Sequence, residues 1–544
     1  MDKGVAKKVL AGVAAAGAAS MLLTTLSACG QSTASNKTTS DGKPIVTILV
    51  VQNTNQISIK EMQWAKDIAK EAGVQIEWKP TLDTAWGQQK NASLAAGDIA
   101  DLNIRAYNPD DTAQNTGAFE DLSKDMDKLP NVKAFFDAKP TAKKFVESDG
   151  AIRVLPSDRG KAFAASGQHM LINKTWLDKL GLKAPTTWSE LTKVLEAFKT
   201  QDPNGNGKAD EIPINLRALP TDTLAGWWSP FLFLNSTGIA THYNSGPSQQ
   251  GIYVKDGKVG NVMQTDEFRQ VLNYLASLTK SGLAPKDWVT TDKYDSRNQV
   301  GGDTAQVGVV FGWDQTAFGG YDSDLYKQYV AIPVPSADGV SADKTVWDAS
   351  GISGANEFED YHMSMSANAA NKDACLKLIN LFYSEKYSVQ QLWGSFDTYL
   401  KKTGDHSYEI TDAFHKAQDE GKSPTLEDRL AGWIPDDVTV KGDRGADSVS
   451  AVDKPYAEQY ANLGEGDSAV KNYMPIYVRL SPDDQTTVAN NNSSIFTTVL
   501  PVIAKMAQTG ADDASWNTLQ NDLKSLNLQQ NIDIWQKAYD KATK

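Results

Sequence analysis

Apolar residues recur along the first part of the chain with two alternating periods. Residues 45–51 are a continuous apolar run of strand length that ends in Gln52, Asn53, Thr54 and Asn55. Residues 59–71 repeat apolar positions at helical spacing, with Met62, Ile68 and Ala69 on one side and Gly73 as the stop. Residues 74–79 alternate as a strand does, 86–96 read as a second helix closed by Gly97 and Asp98, and 102–107 read as a third strand. The order β-α-β-α-β predicts an α/β fold with a parallel sheet flanked by helices. Ligands of such sheets bind beyond the carboxyl ends of the strands, which places Gln52, Asn53, Asn55 and Tyr107 beside a cleft.

Further on, the strand-like residues 154–156 lead into Ser157, Asp158, Arg159 and Gly160, and a mixed stretch follows to 171–174. A short helix at 176–180 stops at Gly181. Thr187 with Glu190 three residues on is a capping box, and it opens a helix that runs through Leu195 and Phe198. Residues 268–278 read as a helix, and 306–311 as an apolar strand leading to Gly312, Trp313 and Asp314. Another short strand spans 329–334. Residues 361–366, followed by a helix over 371–379, return the chain to the first sheet. The Gly-, Asp- and Lys-rich residues 405–453 read as insertion loops over a cleft. No internal repeat is present.

At 544 residues the chain exceeds what one core holds, so two or three domains or two interwoven lobes are expected. The net charge is −13 with no basic block, which argues against nucleic acid as a partner. The N-terminus is specific. Lys3, Lys7 and Lys8 precede an uncharged run over 9–23, and Leu26, Ser27, Ala28 and Cys29 close it, which is the layout of a secretory signal. Cys29 after Leu-Ser-Ala resembles the bacterial lipobox. That resemblance implies cleavage before Cys29 and diacylglycerol on its sulfur, hence a lipid anchor on the outer face of the cell membrane. The alternative, a membrane-spanning anchor, is disfavoured by the short run. Only one other cysteine exists, Cys375, inside an apolar-periodic helix where a buried inert thiol is expected and no internal disulfide is possible once Cys29 is lipidated. Residues 30–43 are rich in Ser, Thr, Asn, Gln and Gly and read as a flexible tether.

Residues 202–213 repeat oxygen-bearing side chains at alternate positions, Asp202, Asn204 and Asn206, then Asp210 and Glu211. Calcium takes six to eight oxygens, and Gly207 and the carbonyl of Lys208 stand where a calcium loop needs its turn and its backbone ligand. Pro213 occupies the place of the terminal glutamate of a helix–loop–helix sensor, so a shortened structural Ca2+ loop is expected. The plain alternative is a polar turn, since Asn, Asp and Gly favour turns without metal.

The segments Leu171-Ile172-Asn173-Lys174-Thr175-Trp176-Leu177, Gly181-Leu182, Pro185-Thr186-Thr187-Trp188 and the acidic loop, in that order, resemble the extracellular solute-binding proteins of ABC importers. Within them the chain is most similar to the branch that includes the alginate-binding proteins, which carry a calcium loop at this place. Residues 94–101, with Ala100 in place of the usual proline, and Thr509, Gly510, Trp516 and 534–540 extend the resemblance across nearly the whole mature chain. It implies a two-lobed periplasmic-binding-protein-like fold, each lobe a mainly parallel sheet flanked by helices, joined by hinge segments. The expected layout is a signal over 1–28, a tether over 29–43, a first lobe over 44–158, a second lobe over 159–350 that carries the calcium loop, a return to the first lobe over 351–405, and a helical C-terminal part over 406–544, mainly on the second lobe. The implied ligand is an oligosaccharide, and the implied partners are permease subunits. The protein is expected to act as a monomer.

A sugar cleft wants flat aromatic platforms beside planar polar groups. Trp227, Trp228 and Trp313 are the leading platforms, Trp347 and Trp433 weaker ones, and each could equally be core packing. Trp64, Trp176, Trp188, Trp516 and Trp535 sit at helical spacing and read as packing. Asp158, Arg159 and Asp314 join Gln52, Asn53 and Asn55 as polar candidates. Arg159 could clamp a carboxylate, as a uronic acid would need, or simply pair with a neighbouring acid. The five histidines form no metal-ligand spacing, and no nucleophile elbow or phosphate loop appears, so an enzyme is the contrasting hypothesis rather than the leading one. A carbohydrate-active hydrolase or lyase, or a binder of peptides, is the alternative function.

Overall fold

The computed structural model describes residues 37–544 except 244, 299–303 and 427–429. Cys29, and with it the expected signal and the first part of the tether, lies outside the described residues. The first sheet begins with β1 (Ile45–Gln52), β2 (Gln75–Leu82), β3 (Leu102–Ile104) and β4 (Val154–Asp158). The helices Gln63–Ala72 and Asp83–Ala96 connect the first three, and β1 pairs in parallel with both β2 and β3. Val46, Ile48 and Val50 have no exposed surface, because the central strand is covered on both sides. At the sheet edge, β2 tolerates Pro80, which lacks a ladder donor, because its only neighbour is β1. The expected helix from residue 59 starts only at Gln63; Ile59 and Met62 are buried but precede it. It ends at Gly73, whose φ of 72° is open to glycine without strain.

Beyond Asp158 the chain builds a second sheet from β5 (His169–Asn173), β6 (Ile212–Ile214), β9 (Val307–Gly312) and β10 (Tyr329–Ile332), with β7 (Ile252–Lys255) and β8 (Lys258–Asn261) as a separate hairpin. It then returns through β11 (Phe358–Met365), which slots between β3 and β4. Each sheet contains one strand that runs against its neighbours: β11 is antiparallel to β3 and β4, and β5 is antiparallel to β9 and β10. These are the strands by which the chain enters each lobe from the other, so their direction follows from the crossing.

Thr187 caps the helix Trp188–Thr200 by accepting from Glu190 N. The Glu190 carboxylate reaches the amide and hydroxyl of Thr186, one residue before the position of a standard capping box. Two cores result. The first lobe packs Val46, Ile104, Leu155, Met363 and Leu376 together. Cys375 lies in this core with no exposure, and burial pushes its thiol pKa up, as an inert structural thiol requires. The second lobe packs Leu171, Trp176, Phe198 and Phe231 with Ile503 and Leu519 from the C-terminal helices Pro482–Thr509, Asp513–Ser525 and Leu528–Thr543. Trp64, Trp176, Trp188, Trp516 and Trp535 are all buried. The described residues of 405–453 are not all loops. They contribute to a small sheet of β12 (Leu400–Gly404), β13 (Ser407–Ile410) and β14 (Thr439–Lys441), whose own core includes Trp393, Tyr408 and Phe414. Among the described residues no helix is long and apolar enough to cross a membrane.

The lobes are laced together by main-chain hydrogen bonds between crossing segments. Asp158 N donates to Gly432 O, Ile434 N to Asp158 O, and Arg159 N to Glu357 O. Lys139 of the first lobe ties the same junction, 2.6 Å from both Glu357 and Asp436.

His362, on β11, is fully buried, and loss of hydration pushes its imidazole pKa down to about 3. The folded pKa lies below the unfolded value of ~6.5, so the unfolded chain binds the extra proton. Stability is therefore retained above pH 6.5 and lost as pH falls from there toward 3. Urea titrations between pH 6 and pH 4 should show unfolding free energy falling by up to about 1.4 kcal/mol per pH unit from this group. His362→Gln should flatten that slope; an equal slope in the variant would show that His362 is not its source.

Candidate functional site

A cavity of about 790 Å³ opens where the lobes and their crossing segments meet. Phe145, Phe358 and Asp360 of the first lobe line one side, Trp227 and Trp313 the other, and the segment 474–480 closes a third. Trp227 and Trp313 are half-buried, with ring centroids 5.7 Å apart and planes inclined by 46°. They meet over Gly167. A Cβ there would fall 2.3 Å from Cζ3 of Trp313 and 2.5 Å from Cζ3 of Trp227, so no side chain fits.

The backbone around Gly167 mounts the neighbouring tryptophans. Trp228 Nε1 donates to Gly167 O at 2.9 Å and Trp228 N to Gln168 Oε1 at 2.8 Å. Trp347 Nε1 donates to Gln168 O at 2.8 Å, and His169 Nδ1 lies 2.6 Å from Trp313 O. Beneath them Asp453 Oδ1 accepts from Ser166 N and Tyr460 OH and lies 3.2 Å from His169 Nε2. Trp228 adopts φ 57°, a left-handed conformation that strains a bulky residue and that its two hydrogen bonds offset. This conformation turns adjacent indoles apart. Trp227 reaches the cavity, while the Trp228 ring stacks on Tyr294 (6.1 Å, 19°) beneath the Arg217 guanidinium.

Both arginines of the cavity are engaged within the protein. Arg479 donates to Asp360 Oδ2 (3.0 Å) and to the Phe145 carbonyl (2.7 Å), and lies 3.7 Å from Asp110. Burial pushes the Asp360 carboxyl pKa up, against the pull of Arg479. Arg159 donates to the Asn356 carbonyl and covers the Phe163 ring at 5.0 Å.

The profile of the bacterial extracellular solute-binding proteins matches residues 56–389. The chain belongs to this family. It is similar to two solved structures from Bifidobacterium longum subsp. infantis, an extracellular solute-binding protein (TM-score 0.88) and an HMO-binding, ABC-transporter-associated solute-binding protein (TM-score 0.87). Each is 49% identical, covering 93% of this chain and all of the other. The fructooligosaccharide ABC transporter substrate-binding protein FusA of Streptococcus pneumoniae serotype 4 is 25% identical over 87% of this chain and 86% of its own.

In this solute-binding protein, three of the ligand candidates from sequence line the cavity, Arg159, Trp227 and Trp313, and Trp535, expected as packing, also borders it. The others lie elsewhere. Trp347 has no exposed surface and stacks on Tyr456 at 4.4 Å. Trp433 stacks on Phe135 at 5.8 Å, on the first-lobe core. Tyr107 is buried between Trp86 and Phe119. Gln52 turns its carbonyl to Ile59 N and its amide to Ile57 O, and Asn53 Oδ1 accepts from Asn55 N. The turn at 52–57 is thus closed on itself, and it also pairs through Asn55 O and Ile57 N with Ser423. Asp158 is fully buried at the lobe junction, where it accepts from Gly160 N and where burial and the Glu357 charge push its carboxyl pKa well up. Asp314, 1% exposed, caps the turn at Gln315–Phe318 by accepting from Thr316 N. Gln52, Asn53, Asp158 and Asp314 each bond nearby backbone and none lines the cavity, while one carboxylate oxygen of Asp158 and of Asp314 stays buried without a hydrogen-bond partner. The mount at 166–169 and the pair of Arg479 with Asp360 went unnoticed in the sequence. A lone arginine within the apolar stretch Met474-Pro475-Ile476-Tyr477-Val478-Arg479-Leu480 was the available signal for the second.

The acidic loop is a nest of turns. Asp202 accepts from the amides of Gly205, Asn206 and Gly207, Asn204 from Asn206 N, and Asn206 from Lys208 N. The amide groups of Asn204, Asn206 and Gln306 all donate to Asp210. Glu211 Oε1 is buried without a hydrogen-bond partner, and burial, with Asp202 and Asp210 nearby, pushes its carboxyl pKa up. Among the described residues no three His, Cys, Asp or Glu side chains stand grouped as a metal site.

Gly167→Ala should cost about 1–3 kcal/mol, as overpacking does, and should change the near-ultraviolet circular dichroism of the tryptophans while leaving the far-ultraviolet spectrum intact. An unchanged near-ultraviolet spectrum and melt would show that the two indoles do not meet over this residue.

Proposed function

We propose that this solute-binding protein captures an oligosaccharide in the inter-lobe cavity and hands it to the permease of an ABC importer, without turning it over. The observation that carries the reading is the Trp227 and Trp313 pair, two indole faces presented to a cavity large enough for several sugar rings. Sugar rings offer C–H faces that pack on indoles and hydroxyl edges that need donors and acceptors. The descriptions of the 49%-identical HMO-binding structure and of FusA support it. A lipid on Cys29 would hold the protein at the outer membrane face, and residues 30–43 would give it reach.

Titration calorimetry against a panel of oligosaccharides and peptides tests this reading. Binding of glycans without product formation is expected; products would make it an enzyme, and tight binding of peptides alone would exclude the sugar. Trp313→Ala should weaken glycan binding tenfold or more with the fold retained, and normal affinity in the variant would remove Trp313 from the ligand contacts.

We also infer that Asp202, Asn204, Asn206, Asp210 and Glu211 with the Lys208 carbonyl hold one structural Ca2+. The donors are all hard oxygens, and the unpartnered Glu211 oxygen beside Asp210 and Asp202 is what a cation would satisfy. Three amide groups now crowd Asp210 in the electropositive role a cation would take. The ion would brace the loop within the second lobe, far in role from the aromatic cavity. With a dissociation constant of ~0.1 mM, calcium at ~1 mM stabilises by about 1.4 kcal/mol. Chelation should lower the melting temperature accordingly, and Asp202→Ala should remove the response; a melt indifferent to chelator in the parent protein would exclude the ion.

A further inference from the structure

We propose that the bound glycan runs past the indole pair into a second hollow, a distal subsite that makes the protein favour longer oligosaccharides. This rests on the oligosaccharide reading above and specifies the length of its ligand. The hollow holds about 400 Å³ and shares Gln250 and Ala489 with the inter-lobe cavity as common walls. Two further elements run from one space to the other. The helix Pro482–Thr509 lines the cavity with Gln485 and Ala489, and the hollow with Ala489, Ser493 and Thr497. These positions recur every fourth residue, as neighbours on a helix surface do, and from Gln485 to Thr497 the row rises about 18 Å. The loop before Trp228 does the same. Its Thr221 and Thr223 border the hollow, its Trp227 borders the cavity, and Leu224 between them is buried in the second-lobe core.

The hollow is lined for hydroxyl recognition. Its walls carry threonine and serine hydroxyls, the amides of Gln250 and Asn492, the Phe496 ring and a single charge, Asp222. Asn492 is 8% exposed, and its oxygen accepts from Asn531 Nδ2 at 2.9 Å, which leaves its N–H groups with no acceptor among the described residues. The Gln250 side chain, on the common wall, makes no hydrogen bond to the protein among the described residues, so no partner holds its amide away from a ligand. A largely buried amide left without a partner costs free energy, and a sugar hydroxyl, donor and acceptor at once, satisfies either end of it. Leu224, Ile252 and Phe496, beside or within this lining, all belong to the second-lobe core, so the subsite is complete before the lobes close. A contact made equally in open and closed arrangements adds affinity without driving closure. The distal subsite therefore captures, and the cavity between the lobes closes.

Titration calorimetry of the full chain with galactotriose to galactohexaose, kestose to the six-unit fructan, and lacto-N-triose to lacto-N-neohexaose tests the length dependence. In any series that binds, the hexasaccharide is expected to bind about tenfold tighter than the trisaccharide, the worth of one or two neutral hydrogen bonds. Equal or lower affinity for the hexasaccharide overturns the distal subsite while leaving the oligosaccharide reading standing. Binding of no member overturns the oligosaccharide reading and the subsite together. Ser493→Trp, which fills the hollow from an exposed position, and Asn492→Ala, which removes the unpaired amide, should each narrow the hexasaccharide-to-trisaccharide ratio, by about tenfold for Ser493→Trp. A ratio unmoved in the folded variants, whether affinity is kept or lost equally for both lengths, overturns the role given to the hollow.

Discussion

Two indole rings can meet over residue 167 only because that residue has no side chain, and much of the cavity wall follows from this close approach. Once Trp227 and Trp313 are seated on Gly167, the carbonyls of 167 and 168 face the indole N–H groups of Trp228 and Trp347. His169 then reaches the Trp313 carbonyl while Asp453 holds Ser166 from beneath. The strained φ of Trp228 fits the same arrangement. It turns one indole inward onto Tyr294 and leaves its neighbour facing the cavity. A platform built this way is stiff before any ligand arrives, which is what preorganised binding needs.

The mount also couples the platform to the joint between the lobes. Asp453 is the last residue of the helix Arg444–Asp453 that follows the small sheet of β12 to β14, and Arg159 sits one residue past the end of β4. The crossing segments at 158–160, 357 and 432–434 are held side by side by main-chain bonds, which limit how the lobes can move. Arg479, in the segment before the C-terminal helices, bonds Asp360 of the first lobe at the cavity wall. A ligand can shift such a joint only by its differential affinity for open and closed arrangements. Its contacts on both walls are therefore what would drive closure in the proposed transport cycle.

Much of the fold was legible because it depends on local chemistry. Strand 45–51 was recognisable from an unbroken apolar run, the first two helices from their spacing and glycine stops, and the helix from Trp188 from its Thr187 cap. Helix starts were less so: Ile59 and Met62 carry the helical apolar pattern but are buried by the Gln52 turn, not by a helix. Residues 405–453 misled because Gly and Asp composition suggests loops, while their strands pair with one another only in three dimensions. The site was legible in part. Trp227, Trp313 and Arg159 stood in loops at strand or crossing ends, and the structure brings them to one cavity. Gln52, Asp158 and Asp314 stood in equivalent places, yet their side chains cap or pair with backbone nearby, a competition that strand position alone does not reveal.

By itself the chain determined its elements, its family and the residue types available for a sugar site, because periodicity, caps and motif order act over short distances. Tertiary structure alone decided which tryptophans face the cavity, since Trp227 and Trp228 are adjacent and differ only through one left-handed backbone angle. It alone also decided the charge available to a ligand. Arg479 and Asp360 lie on adjoining walls, far apart in sequence, and only their meeting makes them one engaged pair.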